Sequence, residues 1–153
     1  MISKPAILRK IVESLSAQLD TLAGSSRAMH ADASDEQNKA EDKYDTRGLE
    51  TAYLASSQAR LATETEQAIA HYQSLQLRKF APATPIEVTA LIELDSTLYF
   101  LGPMCGGLEV MVKGREVVVI TPESPLGQQL AGKKAGDRVK LPNGSAFRID
   151  AVS

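Results

Sequence analysis

A run of acidic side chains in the first half of the chain has the clearest capacity for chemistry. Residues 30–45 hold six carboxylates against two lysines, a local net charge of 2 − 6 = −4. The acids are Asp32, Asp35, Glu36, Glu41, Asp42 and Asp45. Mg²⁺ is often held by only one or two carboxylates with water and phosphate oxygens. Such a pair can hold the second ion of a two-metal phosphodiester reaction and orient the attacking water. A charge run is more often solvated surface, so the position of these acids decides between the two interpretations.

Basic residues at the end of the acidic run, and beyond it, offer a second chemical function. Lys43, Arg47 and Arg60 follow one another along the chain and would form a basic flank behind the acids. Such a flank can steer RNA phosphates towards the carboxylates. The same residue types are also typical of helix surfaces, where they pair with acids three or four positions away. Both interpretations of the flank stay open at this stage.

The remaining reactive residues do not assemble into a catalytic or metal site. Cys105 is the single cysteine and has no base close to it in sequence, so it lacks the partner that activates a nucleophile. His30 and His71 are far apart and have no cysteine partners, which argues against zinc. The glycine-rich residues 102–107 lack the Gly-Lys-Ser/Thr ending of a phosphate loop, so we expect a turn there. We therefore predict no enzyme activity, cofactor or intrinsic metal.

Two long helices must position the acidic run. In the N-terminal half, apolar residues alternate four and three positions apart, which is the seam of a coiled coil. They include Leu8, Val12, Leu15, Leu19 and Leu22. A second helical segment covers residues 47–76, where Leu54, Leu61, Ala68 and Leu75 stand seven apart. Neither seam is self-sufficient, so we expect an antiparallel hairpin over residues 1–78 with residues 30–45 as its acidic tip. Its arms would reach roughly 40 Å, at about 1.5 Å per residue.

The second half of the chain changes to a strand pattern. Pro82 and Pro85 mark a stiff linker over residues 79–85, because each proline disfavours helix in the residue before it. Short strands are expected at 88–93, 97–101, 108–112 and 116–121, with a helix at 124–131. Asp95-Ser96 and Lys113-Gly114-Arg115 are expected to form hairpin turns, as is Pro142-Asn143-Gly144 before the last strand. The fold class is thus α+β, with a small β-rich domain over residues 86–153.

The bulk composition excludes several classes of protein. The chain of 153 residues carries 17 basic and 19 acidic side chains, so no global basic charge points to nucleic acid. Aromatic residues make up only 5%, which argues against recognition of bases by stacking. The longest β-branched run, Val117-Val118-Val119-Ile120, is too short to cross a bilayer, and the N-terminus lacks the apolar core of a secretory signal. With a single cysteine, the chain suits the cytoplasm.

One ordered string near the C-terminus resembles a known family. It reads Thr121-Pro122-Glu123-Ser124-Pro125-Leu126-Gly127, then Leu130, Gly132-Lys133, Gly136-Asp137 and Val139. As an ordered set it resembles the C-terminal domain of the Gre transcript-cleavage factors of bacterial RNA polymerase. A looser resemblance covers residues 99–112. Over residues 1–76 the resemblance rests on length and architecture.

The resemblance implies a fold, a partner and roles for particular residues. Gre factors combine an N-terminal antiparallel coiled coil with a small FKBP-like domain. The domain docks at the rim of the polymerase secondary channel, which would assign docking to Glu123, Ser124 and Pro125. The coiled coil enters the channel, so the tip acids would act on the Mg²⁺ of the polymerase near the nascent RNA 3′ end. The expected protein is a monomeric accessory factor that stimulates cleavage of backtracked RNA by the polymerase.

The tip departs from the pattern of cleavage-competent members, which carry Asp-x-x-Glu-Asn-x-x-Tyr. Asp32 and Asp35 are three apart, but Glu36 and Gln37 follow. If Asp35 is instead aligned with the Asp of this pattern, Asn38 falls at the position of its Glu. Both alignments stay open. An alternative function also stays open, in which the protein is a secondary-channel regulator that competes or inhibits without stimulating cleavage.

Two alternatives belong to other functional classes. A prolyl isomerase would use the FKBP-like domain, but it needs an aromatic-walled apolar pocket. A structural module would dimerise through the N-terminal seam.

Overall fold

The chain has an α+β architecture, as the sequence predicts. The computed structural model describes residues 2–34, 47–141 and 143–153, and within them the side chains of residues 2–22, 24, 56–141 and 143–153. Two helices, α1 (Lys4–Ser34) and α2 (Arg47–Gln73), precede a six-stranded sheet and one short helix. The chain divides into two compact units: the helical unit, which is residues 12–73, and the β-rich unit, which is residues 1–11 together with residues 74–153.

Helices α1 and α2 are long elements with periodic burial. α1 has 31 residues, which corresponds to roughly 46 Å of helix. It begins after Ser3, whose Oγ accepts a hydrogen bond from the Ala6 N–H at 3.4 Å. Leu15 is buried on α1, and Ala68 and Tyr72 are buried four residues apart on α2. Residues 35–46, which hold most of the predicted acidic tip, lie outside the described residues.

The strands form one sheet in the order β3-β4-β2-β1-β6-β5. They are β1 (Leu91–Leu94), β2 (Thr97–Leu101), β3 (Glu109–Val112), β4 (Arg115–Ile120), β5 (Arg138–Lys140) and β6 (Ala146–Val152), with α3 (Pro125–Leu130) between β4 and β5. Strands β2 and β4 pair in parallel, and the other neighbours are antiparallel. The domain therefore combines simple hairpins with one parallel pairing that joins them.

Two hairpin turns have the backbone that their residues predict. Asp95 and Ser96 connect β1 to β2 with φ of 50° and 64°, and Lys113 and Gly114 connect β3 to β4 with φ of 50° and 79°. Positive φ at both central residues is the signature of the type I′ turn, whose twist matches that of paired strands. The predicted connections at these sites are confirmed.

One predicted strand begins later than expected. Residues 88 and 89 lie in a turn, and β1 begins at Leu91. The Ala90 N–H donates to the Glu87 carbonyl at 3.1 Å, and Thr89 has a φ of 81°. Thr89 is also buried, with its N–H donating to the Leu101 carbonyl at 2.8 Å. These contacts outweigh the strand preference of a Val-Thr pair.

The core of the β-rich unit lies on the face of the sheet covered by α3 and the segment before β1. Its buried members are Phe80, Ile86, Ala90, Ile92, Leu94, Leu101, Ile120, Leu130, Val139, Ile149 and Val152. They come from five strands (β1, β2, β4, β5 and β6), from α3, from the predicted linker and from the segment between that linker and β1. Because this core includes Leu130 of α3 and Ile120 of β4, it holds both ends of the segment that connects them.

Candidate functional site

The segment between β4 and α3 is a tightly bonded loop, which we call the capped loop (residues 121–128). The Ser124 hydroxyl donates to the Thr121 carbonyl at 2.7 Å and accepts the Gly127 N–H at 3.0 Å. The Ser124 N–H donates to the same Thr121 carbonyl at 3.0 Å. Ser124 is thus the N-cap of α3, with Pro125 in the first helical position. The predicted helix start is confirmed. The Ser124 side chain bonds both to Thr121 at the start of the loop and to Gly127 near its end.

Gly127 is required by the closeness of the loop backbone. A Cβ on Gly127 would lie 1.8 Å from the Thr121 carbonyl oxygen and 2.8 Å from the Ser124 Oγ. Real Cβ atoms essentially never approach other heavy atoms within 3.0 Å. The obstacle is backbone, so a rotamer change cannot remove it. The loop therefore folds back over the first turn of α3 at a distance that only glycine permits.

The capped loop presents Glu123, Pro125 and Gln128 to solvent on a fixed backbone. Glu123 and Pro125 are exposed, whereas Ser124 is half-buried. The Glu123 carbonyl accepts a hydrogen bond from the Gln128 Nε2 at 3.2 Å, which holds the loop against the next turn of helix. A carboxylate and a proline ring presented in this way suit recognition of another macromolecule, because rigid display lowers the entropy lost on binding. The loop supplies no nucleophile–base pair.

The other end of α3 is anchored as firmly. The Gly132 N–H donates to the Ile86 carbonyl at 3.0 Å, and the Ile86 N–H donates to the Lys133 carbonyl at 2.8 Å. Gly132 has a φ of 78°, which is the left-handed conformation expected where a helix ends. The capped loop and α3 therefore stand between β4 and the segment that leads into β1, with hydrogen bonds at both ends.

Lys4, at the start of α1, bonds to residues on either side of the predicted linker within the same compact unit, and no sequence pattern predicts these contacts. Lys4 Nζ donates to the carbonyl of Arg78 and, at 2.9 Å, to that of Thr89. It lies 4.7 Å from the centroid of the Phe80 ring. Burial lowers the pKa of Lys4. These contacts are between residues more than 70 positions apart, so periodicity and motif spacing cannot find them.

The predicted tip and flank residues are only partly within the described structure. Asp32 belongs to α1 and Arg47 begins α2, but their side chains are not among those described. Arg60 is exposed on α2. The others, namely Asp35, Glu36, Glu41, Asp42 and Lys43, lie outside the described residues. Whether the acids converge stays a prediction.

The described residues hold no group of three or more metal-ligating side chains. Cys105 is half-buried in the turn at residues 102–107, and burial raises the pKa of its thiol, which opposes activation as a nucleophile. No described helix is both long and apolar enough to span a membrane.

The aromatic side chains of the β-rich unit pack in or against its core and do not line the depression described below. Phe80 and Phe100 are buried, and Tyr99 and Phe147 pack against the core. An open depression of about 270 Å³ is lined by Ile2, Leu91, Glu93, Leu98, Arg115, Ala151, Val152 and Ser153, without an aromatic residue. An aromatic-walled site for a prolyl peptide is therefore not found at this depression.

Two solved structures are similar to the chain along most of its length. One is the crystal structure of GreA factor homolog 1 (Gfh1) of Thermus thermophilus, with 21% identity, a TM-score of 0.37 and coverage of 93% of this chain and 94% of that chain. The other is a structure of the transcription factor Gfh1, with 17% identity, a TM-score of 0.35 and coverage of 92% of each chain. No protein-family model and no curated protein matches the chain.

Proposed function

We propose that this chain is a Gre-type transcription factor that docks on bacterial RNA polymerase through the capped loop. The observation that carries the proposal is the rigid display of Glu123 and Pro125 by a loop closed through Ser124. These residues belong to the string that resembles the Gre C-terminal domain. This construction favours docking, because a preorganised loop loses little entropy when it binds.

The helical unit supplies the second part of the proposed mechanism. At about 1.5 Å per residue, α1 alone extends roughly 46 Å with its 31 residues. A helix of that length could carry Asp32 and its neighbouring acids from a docking site to a distant active site. There the carboxylates would hold a polymerase Mg²⁺ and orient water at the phosphodiester of the nascent RNA 3′ end. Lys43, Arg47 and Arg60 would steer the RNA backbone. The chain itself would remain an accessory factor.

A second function is favoured by the tip sequence. Glu36 and Gln37 follow Asp35, where cleavage-competent members carry Asn after their second acid. A protein that docks without the full acidic pattern would occupy the secondary channel and compete with cleavage factors. This regulator shares the docking step with the first proposal and differs only in the outcome at the active site.

Cleavage of RNA in stalled, backtracked elongation complexes tests the proposal. The expected result is faster cleavage by the full chain and loss of that stimulation in Asp32→Ala or Asp35→Ala. Absence of stimulation together with competition against an authentic cleavage factor would establish the regulator instead.

The docking step has its own matched control. Glu123→Lys should weaken the interaction with polymerase about tenfold, equivalent to about 1.4 kcal/mol. Glu116→Lys makes the same charge change near the other end of β4 and should leave the interaction unchanged. Equal affinity for Glu123→Lys and the parent chain would refute docking through the capped loop. A chain that neither stimulates nor competes would refute the polymerase assignment.

A further inference from the structure

Basic side chains are concentrated on the hairpin formed by β5 and β6. Arg138 and Lys140 alternate with buried Val139 on β5, and Arg148 precedes buried Ile149 on β6. All three basic residues are exposed, and they form what we call the basic face. Arg138 pairs directly with Arg148 in the strand register. Because directly opposed residues point to the same side of a sheet, the two guanidinium groups share one surface.

This arrangement works against stability. Like charges directly opposite each other destabilise an antiparallel pair. Within the described part of the chain, no ion pair involves the basic face; the ion pairs of the β-rich unit join Arg78 to Glu87 and Arg115 to Glu93. The exposed Asp150 lies two positions from Arg148 on β6, so Arg138, Lys140 and Arg148 outnumber the acid beside them. The remaining positive charge is available to an anionic ligand.

The turn before β5 holds the basic face in place and extends it. The Lys134 N–H donates to the Asp137 carboxylate at 2.8 Å, so this nearby acid is engaged with backbone. The Gly136 N–H donates to the Ile149 carbonyl, and the Ile149 N–H donates to the Asp137 carbonyl, both at 2.8 Å. The turn is thereby bonded to β6, and the exposed Lys134 adds a fourth cation. A Cβ on Gly136 would be 3.7 Å from Arg148 Nη2, so the guanidinium lies beside the turn.

We propose that the basic face binds the phosphate backbone of a nucleic acid, without reading its sequence. The arginine fork fits phosphate oxygens in a bidentate manner. A duplex presents one negative charge per about 1.7 Å of its axis, which supplies counter-charges to closely spaced cations. Base stacking is not part of this recognition, because Phe147, the aromatic residue of the hairpin, packs against the core.

The composition of the face favours nucleic acid over an acidic protein. Protein interfaces are enriched in aromatic residues, methionine and arginine and are depleted of lysine. The large apolar side chains that stand out as exposed are Leu61 and Met111, and neither belongs to β5 or β6. The hairpin therefore lacks the exposed apolar anchor that is typical of a protein interface. Its exposed positions instead carry arginine and lysine, with Arg138 and Lys140 two residues apart on β5.

The test measures binding of the full chain, without polymerase, to a fluorescent duplex DNA, a single-stranded DNA and an RNA of the same mixed sequence. With one phosphate contact from each of Arg138, Lys140 and Arg148, the logarithm of the association constant for duplex should fall with the logarithm of salt at a slope of about −2.7. Affinity should therefore drop roughly 40-fold between about 50 and 200 mM salt. Arg138→Gln/Arg148→Gln should weaken binding at every sequence and reduce the slope by about 1.8. The ranking of the three probes identifies the preferred backbone.

A matched control separates the basic face from net charge. Arg9→Gln/Lys79→Gln removes the same two charges from exposed positions on α1 and the linker, and should bind like the parent chain. The Arg138→Gln/Arg148→Gln variant should unfold at the same or a higher urea concentration than the parent, since it loses a like-charge pair.

Three results would overturn the proposal. The first is that the parent chain shows no salt-dependent binding, and the second is that both double variants lose the same affinity for nucleic acid. The third is that polyglutamate binds as tightly as nucleic acid, with the same dependence on Arg138 and Arg148. The assay contains no polymerase, so its failure leaves the proposed docking function untouched.

Discussion

Replacement of Gly127 by alanine has two opposing effects on stability: it improves helix propensity, and it introduces a steric clash within the capped loop. Gly127 is buried in α3, where alanine is intrinsically favoured over glycine by about 1 kcal/mol. The new Cβ, however, would lie 1.8 Å from the Thr121 carbonyl oxygen, so the two atoms must separate by at least 3.0 − 1.8 = 1.2 Å. Since the opposing atom is backbone, the loop itself must open.

The magnitude follows from the hydrogen bonds lost on opening. Three bonds close the loop through Ser124: its hydroxyl and its N–H both donate to Thr121, and its hydroxyl accepts from Gly127. At about 1 kcal/mol for each bond, opening costs about 3 kcal/mol. Subtracting the propensity gain of about 1 kcal/mol leaves a net destabilisation of about 2 kcal/mol. For a unit of this size, the midpoint of thermal unfolding should fall by roughly 8–16 °C.

Amide hydrogen exchange together with urea unfolding measures this effect in each compact unit. Gly24→Ala is the matched control: Gly24 lies inside α1, and a Cβ there would meet nothing within 4 Å. That substitution should stabilise the helical unit by about 1 kcal/mol. Opposite signs for the same chemical change would show that backbone approach decides the outcome at Gly127. A Gly127→Ala chain as stable as the parent would refute the reasoning.

The loop cap, two hairpin turns and a carboxyl pair give three further predictions. Ser124→Ala should lower the free energy of unfolding by about 1 kcal/mol through loss of the cap, and an unchanged urea midpoint would contradict this. Ser96→Gly should raise it by about 1 kcal/mol and Gly114→Ser should lower it by a similar amount, since both positions have positive φ. Two effects of the same sign would exclude backbone strain as the cause. A side-chain hydrogen bond with Glu109, reinforced by repulsion between the two carboxylates, raises the pKa of Glu116. The protonated Glu116 carboxyl contributes stability at low pH, and this contribution is lost as pH rises through the folded pKa. The free energy of unfolding of Glu116→Gln, relative to that of the parent, should therefore be higher near about pH 7 than near about pH 4. Urea unfolding at both values measures this difference, and a pH-independent one would contradict it.

The features that sequence predicted well are those determined by neighbouring residues. Ser124 and Pro125 specify the start of α3 because cap and first-turn requirements are local. Gly132 specifies its end for the same reason. The turn at Lys113-Gly114 follows from the conformational freedom of glycine. In each case the decisive interaction lies within a few positions along the chain.

Long-range contacts account for what the sequence did not predict. The turn at Thr89 depends on Leu101 and Lys4, which no local pattern connects to it. The parallel pairing of β2 with β4 has no crossover helix to indicate it, because the chain between them forms the 102–107 turn and β3. That turn is fixed by pairing at the end of β4: the Gly102 N–H donates to the Ile120 carbonyl at 2.8 Å.

The basic face shows why strand register matters more than composition for a binding surface. Arg138 and Arg148 are ten positions apart in a chain whose total charge is nearly balanced, so neither spacing nor net charge marks them. They become opposed only because the hairpin pairs Val139 with Phe147 and Lys140 with Ala146. A one-residue slip would move Arg148 to the core face and Ile149 to solvent, which the burial of Ile149 forbids. The apolar core thus fixes the register, and the register in turn places two arginines of one charge side by side.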